Sequence, residues 1–234
     1  MTPPSTPNIL TYLRLKLIAI ALRLLIKVQG RAALQRDRLQ ADTIPITSQS
    51  VQIPTRGGLL NAILYQPPTT TTTTKTPILI NWHGSGWVFP LLGTDALFLK
   101  RAAQECNIFV LDADYRKAPE YPFPLPLQDV EDVLRWVGSD SASELRIDAK
   151  RVAVSGFSAG AELALVASTV LRTTTLGEIG VDIKGVVAFY PETDLSWRLR
   201  RRRWNILCGR IRGGCWISFM IVMCSKVAYP GPAG

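Results

Sequence analysis

Arg151 to Leu171 reads R-V-A-V-S-G-F-S-A-G-A-E-L-A-L-V-A-S-T-V-L. A short β-branched run, Val152 to Val154, meets a tight Gly156-Phe157-Ser158-Ala159-Gly160 turn, then an Ala/Leu-rich segment free of Pro and Gly. That order predicts a strand, a sharp turn and a buried helix. Glycines on both sides of a serine let the backbone fold tightly enough to hold the hydroxyl clear of a sheet, where a carbonyl carbon can reach it. Ser158 is therefore the candidate nucleophile, with Gly156 and Gly160 as its support. G-x-S-x-G also arises by chance in loops rich in Gly and Ser; the strand before it and the helix after it argue against chance here.

Working outward, three further apolar runs of four or five residues stand at Ile78 to Trp82, Ile108 to Leu111 and Val186 to Tyr190. Runs without alternation are what strands buried on both faces look like. Thr94 to Glu105 has helical character, and Leu127, Val130, Leu134 and Val137 mark the inner face of another helix that ends at Gly138. With 151–171 the order is β-α-β-α-β-α-β, which predicts an α/β fold, a mostly parallel sheet with helices on both faces. Val51 to Tyr65 reads as two strands around Gly57-Gly58. Gly30 to Thr43 reads as a polar connection with helical potential, and the six threonines at 69–74 as a surface loop.

Residues 9–28 are strongly apolar, but Arg14, Lys16, Arg23 and Lys27 interrupt them, and the longest uncharged run between these is six, far short of a membrane span. Lys16, Arg23 and Lys27 share one helical stripe, leaving a wide apolar arc with Arg14 inside it. Two readings stand: a cap helix over an active site, or a helix lying in a membrane interface. No secretory signal is evident, so a cytoplasmic location is expected, with peripheral membrane contact through residues 9–28 as the alternative.

The net charge of +9 suggests nucleic acid or membrane until it is located. From Ser196 onward there are eight Lys or Arg and no Asp or Glu, so the tail holds all but one of the net charges. A nucleic-acid partner is accordingly not expected for the body. Cys106 is alone there, while Cys208, Cys215 and Cys224 lie in the tail without C-x-x-C spacing, and His83 is the one histidine. Neither a metal site nor a disulfide framework is expected, and no cofactor is implied.

A serine attacking a carbonyl generates an oxyanion that needs backbone N–H donors. Directly after the run 78–82 comes His83-Gly84-Ser85-Gly86-Trp87, whose glycines let the backbone come close. Together with Ser158 and with Asp112 to Pro124, D-A-D-Y-R-K-A-P-E-Y-P-F-P, the chain resembles the hormone-sensitive-lipase-like, fold-3 carboxylesterases of the α/β-hydrolases, over roughly residues 45–195. The resemblance implies Ser158 as nucleophile and the amides of Gly84, Ser85 and Ala159 as oxyanion hole. It implies that His83 orders its loop and is not the general base, that Gly86 supports the motif, and that Tyr115, Arg116, Pro119 and Glu120 form a structural turn. Residues 1–45 match the family's helical cap in position, 46–195 its core, and a small-molecule ester is the implied substrate.

The departures matter as much. Ser85 stands for the middle glycine of H-G-G-G, adding a β-carbon where an unusual φ is expected. Phe157 stands where this branch often has an acidic residue, and with Trp87 and Phe89 it is a candidate for the substrate cleft, the alternative being that all three are core aromatics. No histidine follows Ser158, although the fold's triad runs Ser, Asp or Glu, His. Asp182 and Asp194 flank the run 186–190 and sit where the family does not place its acid, so neither acid nor base is assigned. The expected chain is a hydrolase core lacking its last strands, inactive or nearly so. Alternatives are a non-catalytic small-molecule-binding relative, or an adaptor acting through the tail.

Ser196 to Gly234 packs three tryptophans and three cysteines among its arginines. It reads as a nuclear-localisation or RNA-binding tail, as a membrane patch around Ile217 to Met223 too short to span, or as a change of reading frame or retained intron. The last is favoured, because acidic residues vanish where the resemblance stops. On that reading the strand 186–190 is left as an open sheet edge.

Overall fold

The computed structural model describes residues 8–29, 31–69, 74–174, 177–191 and 219–222. Helices α1 (Ile9–Gln29) and α2 (Arg31–Asp42) lead into the hairpin β1 (Ser48–Thr55) and β2 (Gly58–Tyr65). Then follow β3 (Thr76–Trp82), α3 (Ala96–Cys106), β4 (Phe109–Ala113), α4 (Leu125–Val137), the short α5 (Asp140–Glu144), β5 (Ile147–Phe157), α6 (Ala159–Thr174), β6 (Ile183–Phe189) and β7 (Phe219–Val222). The strands form one sheet in the order β1-β2-β4-β3-β5-β6-β7. Its four central strands, β4, β3, β5 and β6, are parallel.

Alternate side chains of those strands feed two cores. Ile78, Ile80 and Trp82 of β3 join Val152 and Val154 of β5 beneath α4 and α6, which contribute Val130, Val133, Leu134, Leu163 and Ala164. On the opposite face Leu79 and Val110 meet Leu99 and Ala103 of α3. Each fully buried Val, Leu or Ile here stabilises by roughly 1.5–3 kcal/mol over its exposed state. Both faces are thus covered, which is why these strands read as unbroken apolar runs.

The helical potential read in residues 30–43 is realised as the three-turn α2. One expectation is corrected. The edge at β6 is not left open: Phe219–Val222 pairs antiparallel with Val186–Phe189. Most of the basic tail, and the centre of the threonine run, lie outside the described residues.

The register aligns the strand ends that matter. Trp82 pairs with Gly156 and with Ala113, and Phe157 with Phe189. The loops opening at His83, Asp114, Ser158 and Tyr190 therefore emerge together at the carboxyl ends of the parallel strands, the end at which open α/β sheets bind ligands.

Candidate active site

Ser158 sits in the left-handed region, φ 50°, at the junction of β5 and α6. Its N–H donates to the Phe189 carbonyl at 3.0 Å, and its carbonyl accepts from the amides of Ala161 and Glu162. A serine in that conformation is strained by about 1–3 kcal/mol, and such strain persists only where its surroundings over-determine it. The two glycines do so by contact. A β-carbon on Gly156 would stand 2.2 Å from the Gly160 carbonyl, and one on Gly160 would stand 1.8 Å from the Trp82 oxygen. Only glycine at both positions lets α6 start this close to β5 and β3. Ala159 is the first residue of α6, where an amide has no intrahelical partner and carries the positive end of the helix dipole.

Facing it is the loop after β3. A β-carbon on Gly84 would lie 3.1 Å from the Phe157 carbonyl, so this loop runs against the turn that carries Ser158. Gly86 and Trp87 both have positive φ, 51° and 65°. Ser85 does not, contrary to the expectation that its β-carbon meets an unusual backbone angle. Instead it is buried, and its hydroxyl is useful: it accepts from the Trp87 amide at 3.0 Å and donates to the Tyr115 phenol oxygen at 2.5 Å, while Tyr115 donates to the His83 carbonyl at 2.9 Å. The direction of this chain follows from its last link, since a carbonyl can only accept. Burial pushes the Tyr115 phenol up from its usual range, which keeps the donor protonated.

His83 is fully buried, stacked on the Tyr115 ring at 5.1 Å between centroids. Nε2 is 3.1 Å from Asp114 Oδ1 and Nδ1 is 3.2 Å from the Gly84 carbonyl. Both ring nitrogens are thus engaged within the loop and with Asp114. Burial would raise the Asp114 carboxyl, but the hydrogen bond from His83 and the charge of Lys117 outweigh it and hold it at about 2. Lys117 also reaches the Tyr115 carbonyl and lies 3.3 Å from the centre of that ring.

The Tyr115–Glu120 turn is pinned from both sides. Arg116 grips the buried Asp129 of α4 through Nε at 2.8 and 3.0 Å. Glu120 receives a bidentate pair from Arg23 of α1 at 2.8 and 3.0 Å, and Arg23 also donates to the Val88 and Ala118 carbonyls. Trp87 packs edge-on against Tyr115. Phe89 lines a cavity with α1, while Phe157 stacks on Phe189 at 4.3 Å with Phe98 against both. The three aromatics proposed for one cleft thus occupy three different surroundings. Among the described residues no group of His, Cys, Asp and Glu is arranged to hold a metal.

The family with the alpha/beta hydrolase fold matches residues 79–216. The chain belongs to the α/β-hydrolase family. That match runs past residue 195, where the resemblance read from the sequence ends. Carboxylesterase NlhH of Mycobacterium tuberculosis is 36% identical over 122 residues, covering 51% of this chain and 37% of the relative. Ethyl acetate hydrolase of Pseudomonas putida is 32% identical over 155 residues, 66% of this chain and 48% of the relative. The crystal structure of EstE1, a thermostable carboxylesterase cloned from a metagenomic library, is 33% identical with a TM-score of 0.63, over 77% of this chain and 57% of that one. The chain therefore spans between 37% and 57% of the length of these relatives.

Within this α/β-hydrolase core lie groups that sequence reasoning missed. Asn81 Nδ2 donates to Asp95 and to Asp112, each at 3.1 Å, and Ser155 donates to Asn81 Oδ1 at 2.9 Å. The Gly93 amide closes on Asp112 at 3.0 Å. Burial, then the Asp95 charge, pushes the Asp112 carboxyl up to about 7. This buried polar knot ties β4, β3 and β5 together one register step before the strand ends that carry the site. Continuous apolar runs were the reading from sequence, and only Asn81 inside one run and Asp112 directly after another signalled otherwise.

Proposed function

We propose that this chain is the core of a carboxylic-ester hydrolase acting on small to medium esters, with Ser158 as nucleophile and the amides of Gly84, Ser85 and Ala159 as oxyanion hole. The observation that carries the reading is the left-handed Ser158 at the head of α6 with the Gly84 loop packed on its turn. In the complete reaction the serine oxygen attacks the ester carbonyl as a base takes its proton, alkoxide leaves as alcohol, and water releases the acyl group. The likeness to named carboxylesterases supports the ester as substrate class.

This 234-residue chain turns over esters at no more than a trace rate. No histidine follows Ser158, and both nitrogens of His83 are engaged elsewhere. What remains is the effect of oxyanion hole and binding, roughly a thousandfold to ten-thousandfold over water in serine proteases stripped of their triad. Hydrolysis of p-nitrophenyl butyrate close to background is expected; with added imidazole as an external base, the native chain should exceed the rate of imidazole alone, and Ser158→Ala should not. Robust turnover without imidazole that is lost in Ser158→Ala would overturn the assignment of a missing base.

A second reading, a small-molecule binder without catalysis, is favoured by the cavity of about 630 Å³ between α1 and the Phe89–Leu92 segment. A ligand that raises the melting temperature equally in the native chain and in Ser158→Ala would support it. An adaptor role through the basic tail concerns residues outside those described, and strongly salt-dependent association would be its signature.

A further inference from the structure

Helix α1 is attached to the body through its polar stripe. Its least exposed residues, Tyr12, Lys16, Ala19, Arg23 and Ile26, recur at steps of four and three, which places them on one face. Arg23 in that face carries the bidentate pair to Glu120 and the bonds to the Val88 and Ala118 carbonyls. The apolar arc therefore points away. Leu10 is 73% exposed, Leu17 68% and Val28 64%, and six more large apolar side chains of the helix are exposed with them, while Ile20 and Leu24, also exposed, line the cavity beside Phe89. A helix packed on a water-soluble body shows the reverse arrangement, and a contiguous outward apolar face marks an interaction surface.

Charge narrows what covers it. Residues 1–36 contain Arg14, Lys16, Arg23, Lys27, Arg31 and Arg36 and no acidic residue. Arg14, Lys27 and Arg36 are exposed, Arg14 within the apolar arc itself. A second copy of this chain would set cations against cations across the contact, which is repulsive. An anionic lipid surface meets both features, apolar side chains entering the acyl boundary while the long stem of Arg14 lifts its guanidinium to the phosphates. No helix among the described residues is long and apolar enough to cross a membrane, so the arrangement is in-plane.

We propose that the outward face of α1 seats the protein on a bilayer rich in anionic phospholipid. The inference rests on α1 alone and is independent of the ester-hydrolase reading. The test is flotation of the purified full chain with vesicles of phosphatidylcholine alone or mixed with phosphatidylglycerol, beside far-ultraviolet circular dichroism and sedimentation velocity. Binding to the mixed vesicles is expected, weakened by raised salt and lowered about fivefold by Arg14→Ala. It is abolished in Leu17→Glu/Val28→Glu, whose helical signal is unchanged. Absence of flotation by a chain that melts cooperatively, or binding that the double variant retains, would overturn the proposal. So would a dimer, dissolved by the double variant, that ignores vesicles.

Discussion

At the scale of single residues, the loop after β3, the proposed oxyanion loop, is held by Ser85 where the family resemblance implies a glycine. Ser85 links the Trp87 amide to Tyr115 and, through it, to the His83 carbonyl, so the loop's shape is fixed by directed hydrogen bonds as well as by backbone freedom. Ser85→Gly removes two of them. A loss of about 1 kcal/mol for each buried hydrogen bond is expected, read as a lowered denaturation midpoint, together with slower phosphonylation of Ser158. An unchanged midpoint and labelling rate would mean that the hydroxyl contributes nothing. Asp112 gives a pH signature. Its carboxyl is pushed up to about 7 in the fold from an ordinary 3.8, so the folded state keeps a proton that the unfolded chain gives up earlier. The stability this confers is whole below pH 3.8, declines as pH rises to about 7, and is level above. Asp112→Asn should flatten the melting temperature over that range; parallel profiles for the two proteins would contradict the assignment.

Elements were legible from sequence to the extent that their patterns are local. The strand-turn-helix of residues 151–171 declares itself because every requirement of a tight turn is met within five residues. Their steric basis predicts that Gly160→Ala, which forces a β-carbon onto the Trp82 carbonyl, costs more than about 4 kcal/mol and leaves the chain insoluble. Gly185→Ala on β6 meets nothing within 4 Å and should shift stability by no more than about 1 kcal/mol; a severe loss there would show the space to be filled. The orientation of α1 was not legible. Periodicity defines an apolar and a polar face but not which of them the body holds, and the deciding pair, Arg23 with Glu120, is 97 residues apart in the chain. Nor was the Asn81, Asp95, Asp112 knot, since burial of a carboxylate depends on what three separate strands and loops bring to it.

For the whole molecule, the proposed catalytic parts all come from residues 78–162, at one end of a parallel sheet, and no histidine follows Ser158 in this sequence to serve as their base. Among the described residues, the sheet beyond β6 is covered by Phe219–Val222. Ile221→Pro, opposite Val187, fixes a backbone angle that an extended strand does not favour and should loosen β7 from an edge that templates aggregation; increased light scattering is expected, and an unchanged monomer would show β7 to be dispensable. The central claim, an assembled nucleophile and oxyanion hole without a base, is tested most directly by intact mass and peptide mapping of the purified chain after long incubation with a fluorophosphonate. In that reaction the Ser158 oxygen bonds phosphorus, fluoride leaves and solvent takes the proton. One slow adduct on Ser158, absent in Ser158→Ala, is predicted. Label on another residue, or none on a chain that melts cooperatively, would contradict the account.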